Sequence, residues 1–377
     1  MKKTILALSL HINKWGAERS MCEAMASLQE HGFRVVMIIT SSGPIEDLLK
    51  YYNIQYFISP MDSLAIQYPP KFCNRIKRTL VKIGQTLRHN NSIYRTLKEN
   101  GIHPDYVYTN TLLPLNGIFI SRHYNAKHIL HIREFMEEDF GFRFLIWDAI
   151  YLRILKYHVC KVICISKAIY TKFHPYFGEK AQLLYNGVYK KKVVQEIQNV
   201  RRQCVNFVFV GRISEEKGIL DIINGFKALV KVGVSNIHLD VWGTGPLEKE
   251  CMDIIKTNNL QKYVTFCGYS DNINLSYYDV GLMASRCEGF GRTTVEYMLS
   301  ALAVIGFKGG ATVELVDDGV TGFLYNSHEA FLSLLKQVSS MKEVELKAMG
   351  VRGMEKAERC YSQDRYLREM VQVFKNL

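Results

Sequence analysis

The chain has 377 residues, of which 48% are hydrophobic and 22% charged, with only 8 prolines. That length is a prior for two domains, and the composition excludes a disordered chain, a collagen repeat and a disulfide scaffold. The formal net charge of +12 lies mostly in the first half, where it requires an anionic partner or forms a solvated face.

In chain order, residues 4–10 follow two lysines, are apolar for only seven positions and run at once into His11 and Lys14. A buried first strand is favoured there over a leader peptide. Further strands are expected at 35–40, 106–109, 128–132 and 161–165, with helices near 17–31, 72–100 and 143–157. In the second half the apolar runs 205–210, 237–242, 264–266, 280–284 and 303–306 read as strands. Helical patterns lie near 218–232, 247–257, 293–299 and 328–338. Residues 188–203 are polar and basic and read as a linker, and a break near Arg352-Gly353 precedes a last helix at 362–374. Near-continuous apolar strands separated by helices mean parallel sheets covered on both faces. The expected architecture is α/β, two doubly wound domains in tandem, with ligands beyond the carboxyl ends of the strands. No apolar run approaches the roughly 18 residues of a membrane-spanning helix. The 9 cysteines show no C-x-x-C spacing, which fits reduced thiols and no zinc site.

Four strand-to-helix junctions carry chemistry. His11 to Arg19 holds Gly16 at a helix start, where free N–H groups suit an anion, although taken alone a plain tight turn is the favoured reading. The second junction, Gly211 to Gly218, places Arg212 and Lys217 where both can converge on a pyrophosphate, although Glu215 and Glu216 can also balance them as solvated charges. In the third, Gly243-Thr244-Gly245-Pro246 begins like a dinucleotide fingerprint but has Glu248 at the third glycine position, so a hydride cofactor is excluded. The fourth is the sharpest: Glu288-Gly289-Phe290-Gly291-Arg292-Thr293-Thr294-Val295-Glu296. One carboxylate on a glycine turn and a second inside the following helix can accept hydrogen bonds from two sets of sugar hydroxyls. Each alone also fits a helix cap or a surface residue. No G-x-x-x-x-G-K-[ST] occurs, so a P-loop NTPase is excluded.

With Gly309-Gly310, Glu314, Asp318-Gly319, Thr321-Gly322 and Asn186-Gly187-Val188, this order of motifs resembles the retaining glycosyltransferases of the GT-B fold, glycosyltransferase family 4 (group 1). Trp15 and Tyr189 depart from the family's usual glycine and aspartate. The resemblance implies two Rossmann-like domains with a cleft between them. Their expected bounds are 1–187 for the acceptor domain, 188–203 for the linker and 204–355 for the donor domain, with a helix at 356–377 crossing back to the first domain. It implies transfer of a sugar from a nucleotide-sugar, UDP before GDP, to a glycan or lipid-linked acceptor of the bacterial envelope. Arg212 and Lys217 would hold the diphosphate, Glu288 with the backbone of Phe290 and Gly291 the sugar, and Glu296 the ribose. His131 would face the reacting sugar. Gly16, Gly211, Gly243, Gly245, Arg292 and Thr293 would complete the donor site. No convincing Asp-x-Asp motif is found, since Asp317-Asp318 lies in a turn, so no cofactor and no metal are expected.

Between Lys71 and Lys98 stand eight basic residues and no acid, with Phe72, Ile76, Leu80, Ile83 and Leu87 at near-helical spacing. The patch of Arg75, Lys77, Arg78 and Lys82 fits either an anionic membrane surface or a solvated face above a core-packed stripe. A cytoplasmic protein, peripheral on the inner face of the plasma membrane under the first reading, is expected. Other readings are another GT-B enzyme such as a nucleotide-sugar epimerase, or a non-catalytic sugar-nucleotide or nucleic-acid binder. The last lacks every nucleic-acid motif sought, so no nucleic acid is expected as partner.

Overall fold

The computed structural model describes residues 2–67, 72–190 and 204–377, and the side chains of Phe72, Cys73 and Phe140 are not among what it describes. The chain divides into two units, one of residues 1–187 with 363–377 and one of residues 188–362. Most of the segment expected as a linker, residues 191–203, lies outside the described residues.

In the first unit the chain runs β1 (Thr4–Ser9), α1 (Gly16–Glu30), β2 (Arg34–Ile39), α2 (Ile45–Tyr51), β3 (Gln55–Ile58), β4 (Ala65–Ile66) and α3 (Phe72–Glu99). It continues through β5 (Tyr106–Asn110), α4 (Asn116–Tyr124), β6 (Lys127–Ile132), α5 (Glu137–Phe140), β7 (Arg143–Phe144), α6 (Asp148–His158), β8 (Lys161–Cys164), α7 (Lys167–Phe177) and β9 (Ala181–Leu183). Seven strands form a sheet of order β3-β2-β1-β5-β6-β8-β9, parallel throughout, with Ile5 opposite both Val35 and Tyr106. All of β1 is buried, which is why its residues 5–8 form an unbroken apolar run. Residues 143–144 are strand rather than helix: they pair antiparallel with β4, and α6 starts only at Asp148.

The second unit runs β10 (Val205–Val210), α8 (Ile219–Lys231), β11 (Ile237–Trp242), α9 (Glu248–Thr257), β12 (Val264–Gly268), β13 (Val280–Met283), α10 (Arg292–Leu299), β14 (Ala303–Phe307), α11 (Thr312–Leu315), β15 (Gly322–Tyr325), α12 (His328–Ser339) and α13 (Glu343–Tyr361). Its sheet has the order β12-β11-β10-β13-β14-β15, so the strand order reverses between β10 and β13, the place where doubly wound sheets bind ligands.

The break expected at Arg352-Gly353 does not occur, and the boundary expected at 355 falls inside α13. Gly353 lies within the continuous helix, and Gly350, one turn earlier, serves close packing. A Cβ on Gly350 would lie 1.9 Å from the Ala301 carbonyl oxygen, so a glycine lets this helix press against the turn before β14. The chain leaves the helix only at Ser362. The last helix, α14 (Gln363–Lys375), belongs to the first unit, where Tyr366, Met370 and Phe374 join Met21, Met25, Tyr106 and Tyr108 in one buried cluster.

Candidate active site

The site is built at the carboxyl ends of β10, β11, β13 and β14, where four loops are held by backbone contact. Gly211 donates its N–H to the Trp242 carbonyl at 3.0 Å, and Ile213 donates to Thr244 at 3.0 Å. Gly243 has φ +134° and a Cβ there would stand 1.9 Å from the Gly211 carbonyl oxygen, so only glycine fits. Gly245 lies against Ile213 in the same way. The loop after β14 cradles the backbone of Glu288, whose carbonyl accepts from Ala311 N–H at 2.8 Å. A Cβ on Gly310 would come within 2.5 Å of the Glu288 nitrogen.

This lacing brings Lys217 Nζ to 2.7 Å from Glu288 Oε1, across the reversal point. The lysine is 34% and the glutamate 15% exposed, so the pair is half sheltered yet open to a ligand. Arg212 stands on the rim, its guanidinium 3.8 Å from Glu216. Gly291, at φ +82°, caps α10, and the helix presents its positive end to the same loop. Arg292 and Glu296 sit one turn apart on α10 with 3.5 Å between their charged groups, and Thr293 lies beside them, half-buried. The Phe290 ring is buried against Tyr361, which leaves its backbone to line the loop.

Tyr297 was missed in the sequence. Its hydroxyl accepts the Val210 N–H at 2.7 Å, a donor at the very end of β10, and Gly281 opens the space for its ring. The position directly after Glu296 is the signal that was available.

Of the residues expected at the donor and reacting sugar, Gly16 and His131 belong to the first unit and the others to the second. Gly16 opens α1 and is exposed. His131, at the end of β6, is 0% exposed. Its Nδ1 lies 2.6 Å from the Tyr108 hydroxyl and 3.3 Å from the Arg133 guanidinium, and Nε2 has no partner among the described residues. Burial, then the Arg133 charge, holds its pKa well below the ordinary 6.5. The ring is therefore buried and neutral in this structure. Missed beside it were Arg133, which donates to Asn110 at 2.5 Å and to Asn186 at 2.9 Å, and Glu134, which accepts the Leu112 N–H at 3.0 Å. Burial raises the Glu134 carboxyl from the ordinary 4.5 to about 7. Near the same edge a hydrogen bond to buried Glu18 raises the pKa of His11.

The basic patch is divided by the fold. Arg75 donates to the carbonyls of Leu145 and Phe144 at 2.6 and 2.7 Å, and Lys82 lies 3.6 Å from Asp62. Lys77 and Arg78 are exposed. Among the described residues no group of three or more His, Cys, Asp or Glu could hold a metal ion, and no helix is long and apolar enough to cross a membrane.

Residues 204–340 match the family model described as glycosyl transferases group 1. In fold the chain matches the crystal structure of Anabaena Alr3699/HepE in complex with UDP and glucose, with a TM-score of 0.79 over 100% of both chains at 18% identity. The fold is GT-B. Among curated proteins, the alpha-monoglucosyldiacylglycerol synthase of Acholeplasma laidlawii is 27% identical over 175 residues, 44% of each chain. The O-antigen biosynthesis glycosyltransferase WclY of Escherichia coli is 24% identical over 256 residues, 65% of this chain and 70% of its own. The chain spans less than half the length of the first curated relatives it matches.

Proposed function

We propose that the chain is a glycosyltransferase that moves a sugar from a nucleotide-sugar, UDP-linked before GDP-linked, with retention at the anomeric carbon. The observation that carries this reading is the Lys217–Glu288 pair, 2.7 Å apart at the point where the strand order reverses. Breaking a glycosyl–diphosphate bond puts negative charge on the leaving diphosphate. Arg212, Lys217 and the positive end of α10 offset that charge in place, without reorganising water. Glu288, released from Lys217 as the diphosphate takes the ammonium, accepts hydroxyls of the donor sugar. Glu296 accepts those of the ribose. Gly243 and Gly245 let the loops after β10 and β11 pack directly on each other, and Gly211 lies on the first of them. The cations and the helix end do the work for which other transferases use a metal, so the reaction runs without one.

The acceptor is a glycan or a lipid-linked chain of envelope polysaccharide or glycolipid synthesis, met in the cytoplasm at the inner face of the plasma membrane. The names of WclY and of the glucosyldiacylglycerol synthase support that class. The test is a panel of nucleotide-sugars screened by thermal shift, followed by incubation of the best donor with lipid-linked acceptors and proton NMR of the product. An axial donor sugar should stay axial. Inversion, or donor conversion with no acceptor present, would sink the reading.

A further inference from the structure

The sheet of the first unit has a reversal of its own. Its order β3-β2-β1-β5-β6 turns between β1 and β5, so a ligand crevice is expected beyond the carboxyl ends of these two strands. The backbone there is strained. Of the described non-glycine residues with positive φ, three are asparagines, which tolerate it. Thr111 at φ +84° and Met136 at φ +76° do not share that tolerance, and they lie in the loops after β5 and β6. A β-branched residue held in this way is a true outlier, and such strain collects at ligand sites. Two buried carboxylates belong to the same edge. Glu134 accepts the Leu112 N–H at 3.0 Å. Glu18 is 1% exposed, and its Oε2 has no partner among the described residues. A buried polar oxygen left unpaired is costly and marks a place built for more than packing.

The loop after β1 adds side chains on a fixed frame. The Ile12 carbonyl accepts the Ile45 N–H at 2.8 Å, and a Cβ on Gly43 would stand 2.8 Å from the Ile12 side chain. Lys14 Nζ lies 2.5 Å from Asp47. The Trp15 carbonyl accepts the Arg19 N–H at 2.9 Å, so its backbone is fixed at the start of α1 while its side chain is 61% exposed. One exposed tryptophan is ordinary on a protein surface. This one shares its pinned loop with His11, whose Nδ1 lies 3.4 Å from Glu18 Oε1 and whose side chain is 41% exposed. Glu18 engages Nδ1, which leaves Nε2 to a ligand.

We propose that the loop after β1 is a subsite for a pyranose ring at the end of the acceptor, with the C–H face of the ring on the Trp15 indole and a ring hydroxyl on His11 Nε2. Glu18 holds His11 in place for that bond. The inference rests on the transferase reading and adds to it that the acceptor's reacting end is a sugar rather than a lipid alcohol. The surroundings of the indole select the occupant. A pyranose has an apolar face bordered by hydroxyls, which matches one aromatic ring among hydrogen-bonding groups. An acyl chain needs a row of apolar neighbours, and Asn13, Lys14 and Gly16 beside Trp15 offer none. A phosphate needs a free cation, and the loop's lysine is paired with Asp47.

The experiment titrates the full chain, loaded with UDP, with methyl hexopyranosides of glucose, galactose, mannose and N-acetylglucosamine, and with dioctanoylglycerol as a sugar-free alcohol, read by saturation-transfer NMR. At least one hexopyranoside should bind. Trp15→Ala should weaken it roughly three- to tenfold, the scale of one aromatic contact, and Trp15→Phe should restore most of the loss. His11→Ala should weaken it as well. UDP affinity by calorimetry should hold in all three variants, and in transfer assays Trp15→Ala should raise the KM for the acceptor and not that for the donor. The exposed position of Trp15 keeps its variants folded. Equal binding of the hexopyranosides by wild type and Trp15→Ala, or no binding by either, would overturn the proposal. So would a parallel loss of UDP affinity, which would make the indole part of the donor site, or transfer to dioctanoylglycerol that Trp15→Ala leaves intact. A wild type that binds a hexopyranoside through Trp15 but neither binds UDP nor transfers sugar would sink the transferase reading and leave the subsite standing.

Discussion

Replacing Lys217 by alanine separates the chemistry of the site from its architecture. The ammonium lies 2.7 Å from Glu288, yet the lysine is 34% exposed, so solvent screens the pair and its contribution to folding is about 1 kcal/mol or less. The loop does not depend on it. Backbone bonds from Ile213 to Thr244 and from Leu247 to Ile213, at 3.0 and 3.1 Å, hold the segment, and Gly218 seats it against the end of β13. For the second unit a loss of that size lowers the melting temperature by roughly 2–4 °C. On the proposed reading the effect on catalysis is far larger, because the cation would face charge that grows only in the transition state. Loss of one such contact costs about 10² to 10³ in kcat. Lys217→Ala should therefore cut UDP release from the donor at least about a hundredfold while the melting curve hardly moves. Lys217→Ala/Glu288→Gln should fall well short of the product of the two single losses, since the residues share one contact. A single variant with near-wild-type turnover would refute the assignment. A drop of ten degrees or more with turnover lost in proportion would make Lys217 a structural residue instead.

Gly243→Ala should lose donor binding and at least about 2 kcal/mol of stability, because its Cβ meets the Gly211 carbonyl at 1.9 Å and its φ is +134°; calorimetry with UDP reads both. Phe374→Ala removes a ring with 0% exposure, 5.5 Å from Tyr106 and 6.0 Å from Phe33, and should cost the first unit about 3–5 kcal/mol in denaturant unfolding. Glu134→Gln should change the pH dependence of stability. The folded pKa of Glu134 is raised from 4.5 to about 7, so the native state holds the proton more tightly and this group's contribution falls as pH rises through that window. Removing it should stabilise the variant relative to wild type increasingly from pH 4.5 to 7, by up to about 1.4 kcal/mol per pH unit. A constant offset in melting temperature across that range would contradict the burial argument.

The two sheets could be read in the sequence because their central strands are buried on both faces and leave unbroken apolar runs, as in Ile5-Leu6-Ala7-Leu8. β3 and β9 escaped the same reading. β9 spans only Ala-Gln-Leu, and β3 begins on an exposed glutamine with half-buried neighbours. Arg352-Gly353 looked like a helix break because sequence alone does not distinguish a glycine that ends a helix from one that α13 carries through its interior. In the site, the strand-to-loop positions of Arg212, Lys217, Glu288 and Glu296 were visible in the motifs. The contact between Lys217 and Glu288 was not, because they are 71 positions apart and meet only through the neighbouring of β10 and β13. The burial of His131 was not legible for a related reason: Tyr108, which meets its Nδ1, lies on the adjacent strand, 23 positions earlier.

The most direct measurement of the central claim is a crystal structure of the chain with an intact nucleotide-sugar. The diphosphate should lie within hydrogen-bonding distance of Lys217 Nζ and the Arg212 guanidinium, with the ribose hydroxyls on Glu296 and the sugar on Glu288. A nucleotide-sugar bound elsewhere, with the Lys217–Glu288 pair still closed, would contradict the account.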